Sequence, residues 1–351
     1  MINDHFFNSD GTYYFSSENK KATINVTIVF FPGFAQTLNE RNYLFSNIRK
    51  FLQNKKYVKR IIQFDYYGCG ESCGDLAYTN LNDIINHAYK FLNKEDIKRT
   101  HLITICNGLG AYISTEVLKK LNHKNCFSVF INFPKNNLNI EYYLDQFKYT
   151  QKSFINMYDF CPGIDYENLT DINKDLYFFF RDIGADFNNI HGLNISKTLI
   201  NNINQIDFQN YMNNVTVNFK RILTSDFLER NKKIGDSSNI FILNKVDCDF
   251  TRMLNLKKSI YQIVEENIME LIEFSLSNMI IDISDIKLKN KDILSDSYLE
   301  MLGLDSIRIM ELVFKLEEEY NVNLEKYNIN NLTKFRELIG YIEEELDCEF
   351  N

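Results

Sequence analysis

The sequence predicts an α/β fold: a mostly parallel sheet with a helical insertion, followed by a small all-α unit of four helices. Three observations carry that expectation. Between residues 24 and 134, short β-like runs alternate with helical stretches. A further β-like run returns at Asn239–Asp247, after a long stretch rich in aromatics and Asn. From Ile260 onward the apolar period changes to 3.6.

The β-like runs are Ile24–Phe34, Val58–Gly68, His101–Gly108 and Cys126–Pro134, and the stretches Asn39–Leu52, Leu81–Leu92 and Leu109–Leu121 between them read as helices. Such alternation gives parallel strands joined by crossover helices. Residues 136–238 lack clean alternation and are expected to form a largely helical insertion over the sheet. Beyond the sheet, Ile263, Ile268, Leu271, Ile272 and Leu276 mark an amphipathic helix, and a charged loop follows. Another helix begins at Ser306, with Ile307, Met310, Phe314 and Leu316 expected to face a small bundle and Glu311 and Glu317–Glu319 to face water. The boundaries predicted are 1–256 for the first domain and 260–351 for the second. No Pro- or Gly-rich linker separates them, so the seam near Arg252–Ser259 is short and the domains are expected to lie close together.

Composition limits the classes of function. With 351 residues, 45% of them apolar and 29 of them Phe, the chain has material for a real core and does not read as disordered. MINDHFFNSDGTYYF shows no basic start followed by an apolar run, and no stretch of about 18 uncharged apolar residues occurs. Neither an export signal nor a membrane span is therefore expected. Seven Cys, an odd number at irregular spacing, read as reduced thiols and a cytoplasmic setting. Cys69 and Cys73 would make half a metal site, but no CxxC or nearby His supports one; two turn-lining thiols are the other reading, and no metal is expected. Residues 261–351 hold 21 acidic and 8 basic residues, a net of −13, against +5 for 1–260. That split fits either complementary module surfaces or two separately solvated ones, and the acidic tail argues against a nucleic-acid partner.

The chemistry concentrates in LGLDSIRIMELVFKLEEEY (Leu302–Tyr320), where Ser306 starts an amphipathic helix after a Gly-Leu-Asp turn. A serine at a helix N-terminus lies where free N–H groups and the helix dipole favour a phosphate. An ordinary N-capping serine would look the same locally. Over about 85 residues, however, the long helix, acidic loop, LGLDSI turn, LEEEY helix and closing FRELIGYIEEEL resemble an acyl or peptidyl carrier domain. The resemblance implies 4'-phosphopantetheine esterified to Ser306, with Asp305 capping the helix or holding the metal that accompanies the transfer. It also implies two kinds of partner: a phosphopantetheinyl transferase, and acyl-loading or synthase enzymes docking on the acidic helix.

Residues 24–250 are similar to the α/β-hydrolase superfamily on weaker motifs. Phe31–Gln36 (FPGFAQ) resembles the turn that supplies an oxyanion-hole N–H, from Phe34, and Phe64–Gly74 resembles an Asp-x-x-Gly-x-Gly-x-Ser turn. Leu102–Ile113 stands where the GxSxG elbow belongs, and read as Thr104-Ile105-Cys106-Asn107-Gly108 it puts a cysteine in the serine's place. The resemblance, extending to hydrolases associated with exosortase systems, implies Cys106 as nucleophile, favoured as thiolate by the helix N-terminus, with Asn107 and Phe34 N–H groups as oxyanion hole. A small buried hydrophobe at a strand end is the plain alternative for Cys106.

The rest of a triad is incomplete. Asp247 ends its strand where the catalytic acid would stand, a place that also suits a turn Asp, and no histidine follows it. Of the histidines, only His191, in the insertion, is placed to act as base; His101 opens the strand leading to Cys106 and belongs at the opposite end of the sheet. Two readings follow. In one, a thioesterase- or acyltransferase-like hydrolase passes acyl groups between Cys106 and a carrier arm in lipid, polyketide or peptide-type biosynthesis. In the other, the chain is a carrier and interaction protein whose hydrolase domain is catalytically dead and serves as a docking platform.

Overall fold

The computed structural model describes residues 2–34, 36–40, 43–95, 97, 100–123, 126–133, 187–190, 193–213, 218–224, 240–243 and 254–346. Among the described residues ten strands follow in chain order: β1 Ile2–Ser9, β2 Thr12–Asn19, β3 Val26–Phe31, β4 Val58–Phe64, β5 His101–Asn107, β6 Cys126–Ile131, β7 Phe187–Ile190, β8 Leu193–Ser196, β9 Asn218–Thr224 and β10 Ile240–Leu243. The helices are α1 Leu44–Leu52, α2 Leu81–Lys94, α3 Leu109–Leu121, α4 Lys197–Asn204, α5 Phe208–Asn213, α6 Leu254–Ile283, α7 Ser306–Tyr320 and α8 Phe335–Glu345.

Eight strands form one sheet in the order β1-β2-β4-β3-β5-β6-β9-β10. From β4 to β10 every neighbouring pair is parallel, while β2 runs antiparallel to both β4 and β1. This is an α/β-hydrolase-like sheet, mostly parallel with an antiparallel edge. The β1–β2 hairpin turns at Asp10-Gly11, both at positive φ. Asp-Gly between alternating runs is a strong short-range hairpin signal, and it stands in the sequence. The stretch 136–238, assigned whole to an insertion from the sequence, gives up β9 to the main sheet; Lys220 and Arg221 dilute its apolar signal. The described remainder of that stretch holds the β7–β8 hairpin, α4 and α5.

Strand alternation sends side chains to two cores. Ile28, Phe30, Ile103, Ile105 and Val129 join α1 and α6 on one face, whereas Val29, Phe31, Leu102, Cys106 and Phe130 join α2, α3 and α4 on the other. Helix α6 reaches further. Its Leu256, Ile260, Ile263, Val264 and Ile268 are buried with the sheet residues, and Ile272, Leu276, Ile280 and Ile283 are buried with Ile309, Leu312 and Leu316 of α7 and Leu338 and Ile342 of α8. Each such side chain contributes about 1.5–3 kcal/mol. The predicted boundary at residues 256–260 thus falls inside one helix of 30 residues.

Polar contacts fasten the middle of α6 to the lower edge of the sheet, where the parallel strands begin. Glu265, buried, takes a hydrogen bond from Tyr57 Oη (3.2 Å) and pairs with Lys55 Nζ at 3.2 Å. The Asn267 amide oxygen lies 3.0 Å from His101 Nε2, and Tyr261 stacks on Phe51 with centroids 3.6 Å apart. At the end of α8, Lys56 Nζ donates to the Glu345 carbonyl at 2.8 Å.

In α7 the expected inward face is corrected at three positions, while Leu316 lies inward as expected. Ile307, Met310 and Phe314 are 77%, 72% and 67% exposed, while Ile309, Leu312, Leu316 and Tyr320 are buried. Both stripes step by three and four residues, so periodicity alone does not choose between them. The turn before α7 chooses. Leu302 and Leu304 are buried beneath it, and the Asp305 cap fixes the rotation of the first turn.

Two outcomes in urea unfolding test these packing assignments. Leu312→Ala should lose about 2–5 kcal/mol and Met310→Ser no more than about 0.5; equal losses would restore the stripe expected from the sequence. Glu265→Ala, which removes the buried carboxylate paired with Lys55, should cost about 3 kcal/mol, and an unchanged midpoint would remove the contact's part in fastening α6.

Candidate functional site

The carrier end is built from a turn and a cap. Gly303 lies so close to Ser284 and Ile286 that a Cβ there would meet Ser284 Oγ at 2.7 Å, and Ser284 Oγ itself donates to the Leu302 carbonyl at 2.6 Å. Asp305 then caps α7, its Oδ1 accepting from Ile307 N (3.1 Å) and Arg308 N (2.9 Å). Arg308 gathers the site: it pairs with Asp305 (2.8 Å) and Asp285, and its Nε donates to the Ile283 carbonyl at 3.1 Å. The first turn of α7 is therefore tied to the last turn of α6.

Ser306 is the first residue of α7 and is exposed. Since Asp305 supplies the capping oxygen, the Ser306 hydroxyl is not consumed as the cap. An exposed primary hydroxyl at a helix N-terminus fits a phosphodiester. Met301, Ile307, Met310 and Phe314 give the surroundings an exposed apolar surface, with Glu311 bridged to Lys315 among them.

The other end is the turn between β5 and α3. The residue that joins them is Gly108, at φ 48° and ψ −120°, with Asn107 ending the strand and Leu109 starting the helix. In an α/β-hydrolase the nucleophile occupies this strained strand-to-helix position so that its reactive atom stands above the sheet. The five-residue elbow is thus Cys106-Asn107-Gly108-Leu109-Gly110, two residues on from the register read in the sequence. Gly110 keeps the close crossing of helix and strand, since a Cβ there would lie 2.3 Å from the Phe31 carbonyl oxygen. Gly108 has no side chain to act as nucleophile. The signal was present: the Gly-Leu-Gly before a helical run keeps the elbow's final glycine.

Cys106 is corrected accordingly. It belongs to β5, beside Leu102 and Thr104 in the alternation, and points under α3 with no exposed surface. Its Sγ lies 3.4 Å from Thr104 Oγ1, which is itself bonded to Ser128 Oγ (2.8 Å) and Ser114 Oγ (3.2 Å). Burial pushes the thiol up to about 12, and the Ser114 and Thr104 hydroxyls offset only part of that. The helix N-terminus was expected to favour thiolate here; desolvation wins because the sulfur lies inside the sheet–helix interface and not in the turn.

The loops around the elbow are filled by their own groups. Gly33 N, in the turn after β3, donates to Glu40 Oε2 at 2.5 Å, and Tyr66 Oη donates to the Pro32 carbonyl at 3.0 Å. Phe34 is buried beside them. Burial raises the Tyr66 hydroxyl well above its ordinary range, with Cys106, Glu40 and Cys69 adding to the shift. Asp65 of the second turn is structural: it accepts from Leu38 N (2.6 Å) and Glu71 N (3.0 Å), and burial outweighs those bonds to raise its carboxyl. The buried Glu40 carboxyl, next to the turn meant to hold an oxyanion, was not singled out from the sequence and already takes the Gly33 N–H there.

Asp247 and His191 lie outside the described residues. His101 is at the lower end of β5, held by Asn267, and His87 contacts Thr12 Oγ1 (3.2 Å). Among the described residues no group of three His, Cys, Asp or Glu could hold a metal, and no helix is long and apolar enough to cross a membrane.

A family match falls within the C-terminal part of the chain. Residues 276–342 match the family described as "Phosphopantetheine attachment site", so the C-terminal module is a carrier domain that takes covalent 4'-phosphopantetheine on a serine. No curated protein matches the chain. Solved structures resemble it at low identity. Est1E of Butyrivibrio proteoclasticus, bound to ferulic acid, is 11% identical, with 75% of this chain and 99% of that one covered and a TM-score of 0.48. Potato (Solanum tuberosum) epoxide hydrolase I is 14% identical over 76% and 100%, at 0.45. Mouse alpha/beta hydrolase domain-containing protein 10 is 14% identical over 75% and 99%, at 0.42. The strand order and the glycine turn between β5 and α3 make the first module hydrolase-like in fold.

Thiol alkylation tests the placement of Cys106. At pH 8 a group titrating near 12 is ionised on the order of 1 part in 10,000, so iodoacetamide should label the exposed Cys73 and leave Cys106 untouched until the protein is unfolded. Labelling of native Cys106 at a rate matching Cys73, read by peptide mapping, would contradict it.

Proposed function

We propose that the chain is a phosphopantetheine-dependent carrier of thioester-bound acyl groups, with Ser306 as the attachment site, acting in lipid, polyketide or peptide-type biosynthesis. The observation that carries this reading is the exposed Ser306 hydroxyl at the first residue of α7, freed from capping by Asp305. When bound, the cofactor supplies a terminal thiol that holds the acyl group. The protein's part is positional. Arg308 neutralises Asp305 and Asp285 and fixes the turn, and α7 presents the serine to a modifying enzyme. A carrier domain calls for a phosphopantetheinyl transferase and acyl-handling partners; the exposed face of α7, with its Glu residues, is where such partners would dock.

In this reading the hydrolase-like module is a non-catalytic platform. Gly108 at the elbow supports that view, as do the buried, protonated Cys106 and the Glu40 carboxylate beside the oxyanion turn. Thioesterase or acyltransferase chemistry at Cys106 would need the sulfur to leave its packed site, and nothing in its surroundings favours the charged form.

Co-expression with a transferase should add the phosphopantetheine mass to wild type and not to Ser306→Ala, read by intact-mass spectrometry; an unmodified wild type would end the proposal. Once the arm is acylated, wild type and Cys106→Ala should lose the acyl group at the same slow rate as spontaneous thioester hydrolysis. Faster loss in wild type alone would restore catalysis to the first module.

A further inference from the structure

The position of Ser306 relative to the elbow has a consequence for where the acyl group can go. Helix α6 starts on the sheet and passes its lower edge at Asn267, which contacts His101 at the first residue of β5. From Asn267 the same helix continues to Ile283, 16 residues further, or about 24 Å at 1.5 Å per residue. Ser306 sits at that far end, because Arg308 bonds both the Ile283 carbonyl and Asp285. The elbow lies the other way. From His101 up to Asn107, β5 spans about 20 Å at 3.3 Å per residue. Laid along one line the two lengths come to about 44 Å, and even at a right angle they leave about 30 Å.

The arm is shorter than either separation. Its chain from the serine Cβ to the sulfur has as many bonds as about five residues of backbone, so its full extension is about 17 Å at 3.3–3.6 Å per residue. Swinging of the carrier module would close the distance only if α6 bent. That helix is unbroken over 30 residues, buried in the sheet core at one end and in the carrier core at the other, and fastened at its middle by Glu265, Asn267 and Tyr261. A domain linked by a flexible tether could search for its neighbour's cleft; this one is held by a strut.

Building on the carrier reading, we infer that the arm on Ser306 works in trans: it cannot reach the elbow of its own chain, and both the loading and the unloading of its thioester take place on separate protein molecules. The reactions on either side of the carrier are then an acyl-thioester-forming step supplied by another polypeptide and an acyl-accepting step in another polypeptide.

A reactive arm tests this on the full chain. A phosphopantetheine analogue ending in a bromoacetyl group is loaded onto Ser306, and cross-links are mapped by mass spectrometry on dilute monomer. Native Cys73 is exposed and lies by the upper turns, bonded through its N–H to the Gly11 carbonyl at 2.7 Å, so it reports on that end without any substitution. Asn107→Cys adds a reporter at the elbow, and Met301→Cys one beside the serine. The expected result is an intramolecular link at position 301, with none at 73 or 107 and with any link to those two confined to pairs of molecules. An intramolecular link at 73 or 107 overturns the inference. Thioester decay tests the non-catalytic reading separately: a link at 107 with unchanged decay sinks only the geometry, and rapid Cys106-dependent decay without a link sinks only the platform.

Discussion

The continuity of helix α6 is the constraint on which the rest depends. Its backbone hydrogen bonds run unbroken through 30 residues, and its apolar positions belong to one continuous apolar cluster that runs from under the sheet into the carrier bundle. A helix interior tolerates no flexible joint without losing several backbone bonds and the burial around them. The two modules therefore behave as one body. The polar contacts at Glu265, Asn267 and Lys56 fall where the helix leaves the sheet, at the place where bending would otherwise be easiest.

That rigidity gives meaning to what has happened at the elbow. The first module keeps the packing devices of a hydrolase-like sheet: the close approach of Gly110 to the β3 carbonyls, the Asp65 turn, and the sharp φ/ψ at the residue between β5 and α3. It lacks the reactive atom that such a turn exists to present. Cys106 supplies a sulfur two residues away, but the pleat directs it sideways into the interface under α3. In that environment the neutral thiol is favoured by several kcal/mol over the thiolate. In the proposed platform reading, the turn keeps its packing role without presenting a nucleophile.

At the carrier end the balance is different. Ile307, Met310 and Phe314 stay in water, at some cost in solubility, while an equally spaced stripe is buried. Exposed large apolar residues grouped around a single hydroxyl mark a surface meant to be covered by something else. In the proposed carrier reading, the acidic residues on the same helix favour a basic partner.

Much of the architecture was legible in the chain. Alternating runs gave β3 to β6 with their crossover helices, Gly-Leu-Asp-Ser located the start of α7, and the change of period and charge announced a second module. These are local properties, fixed by side-chain spacing and by the chemistry of caps and turns. The Asp-Gly hairpin was equally legible and went unread, and β9 was hidden by its Lys and Arg. Tertiary structure decided three other matters. It chose the buried stripe of α7, since two stripes with the same spacing differ only in which neighbour meets them. It set the elbow at Gly108 and not Cys106, because the turn is defined by where strand pairing with β3 and β6 stops. It also joined two modules through one helix, since where a helix lies between two cores depends on the surfaces that bury it, and those surfaces come from parts of the chain remote in sequence.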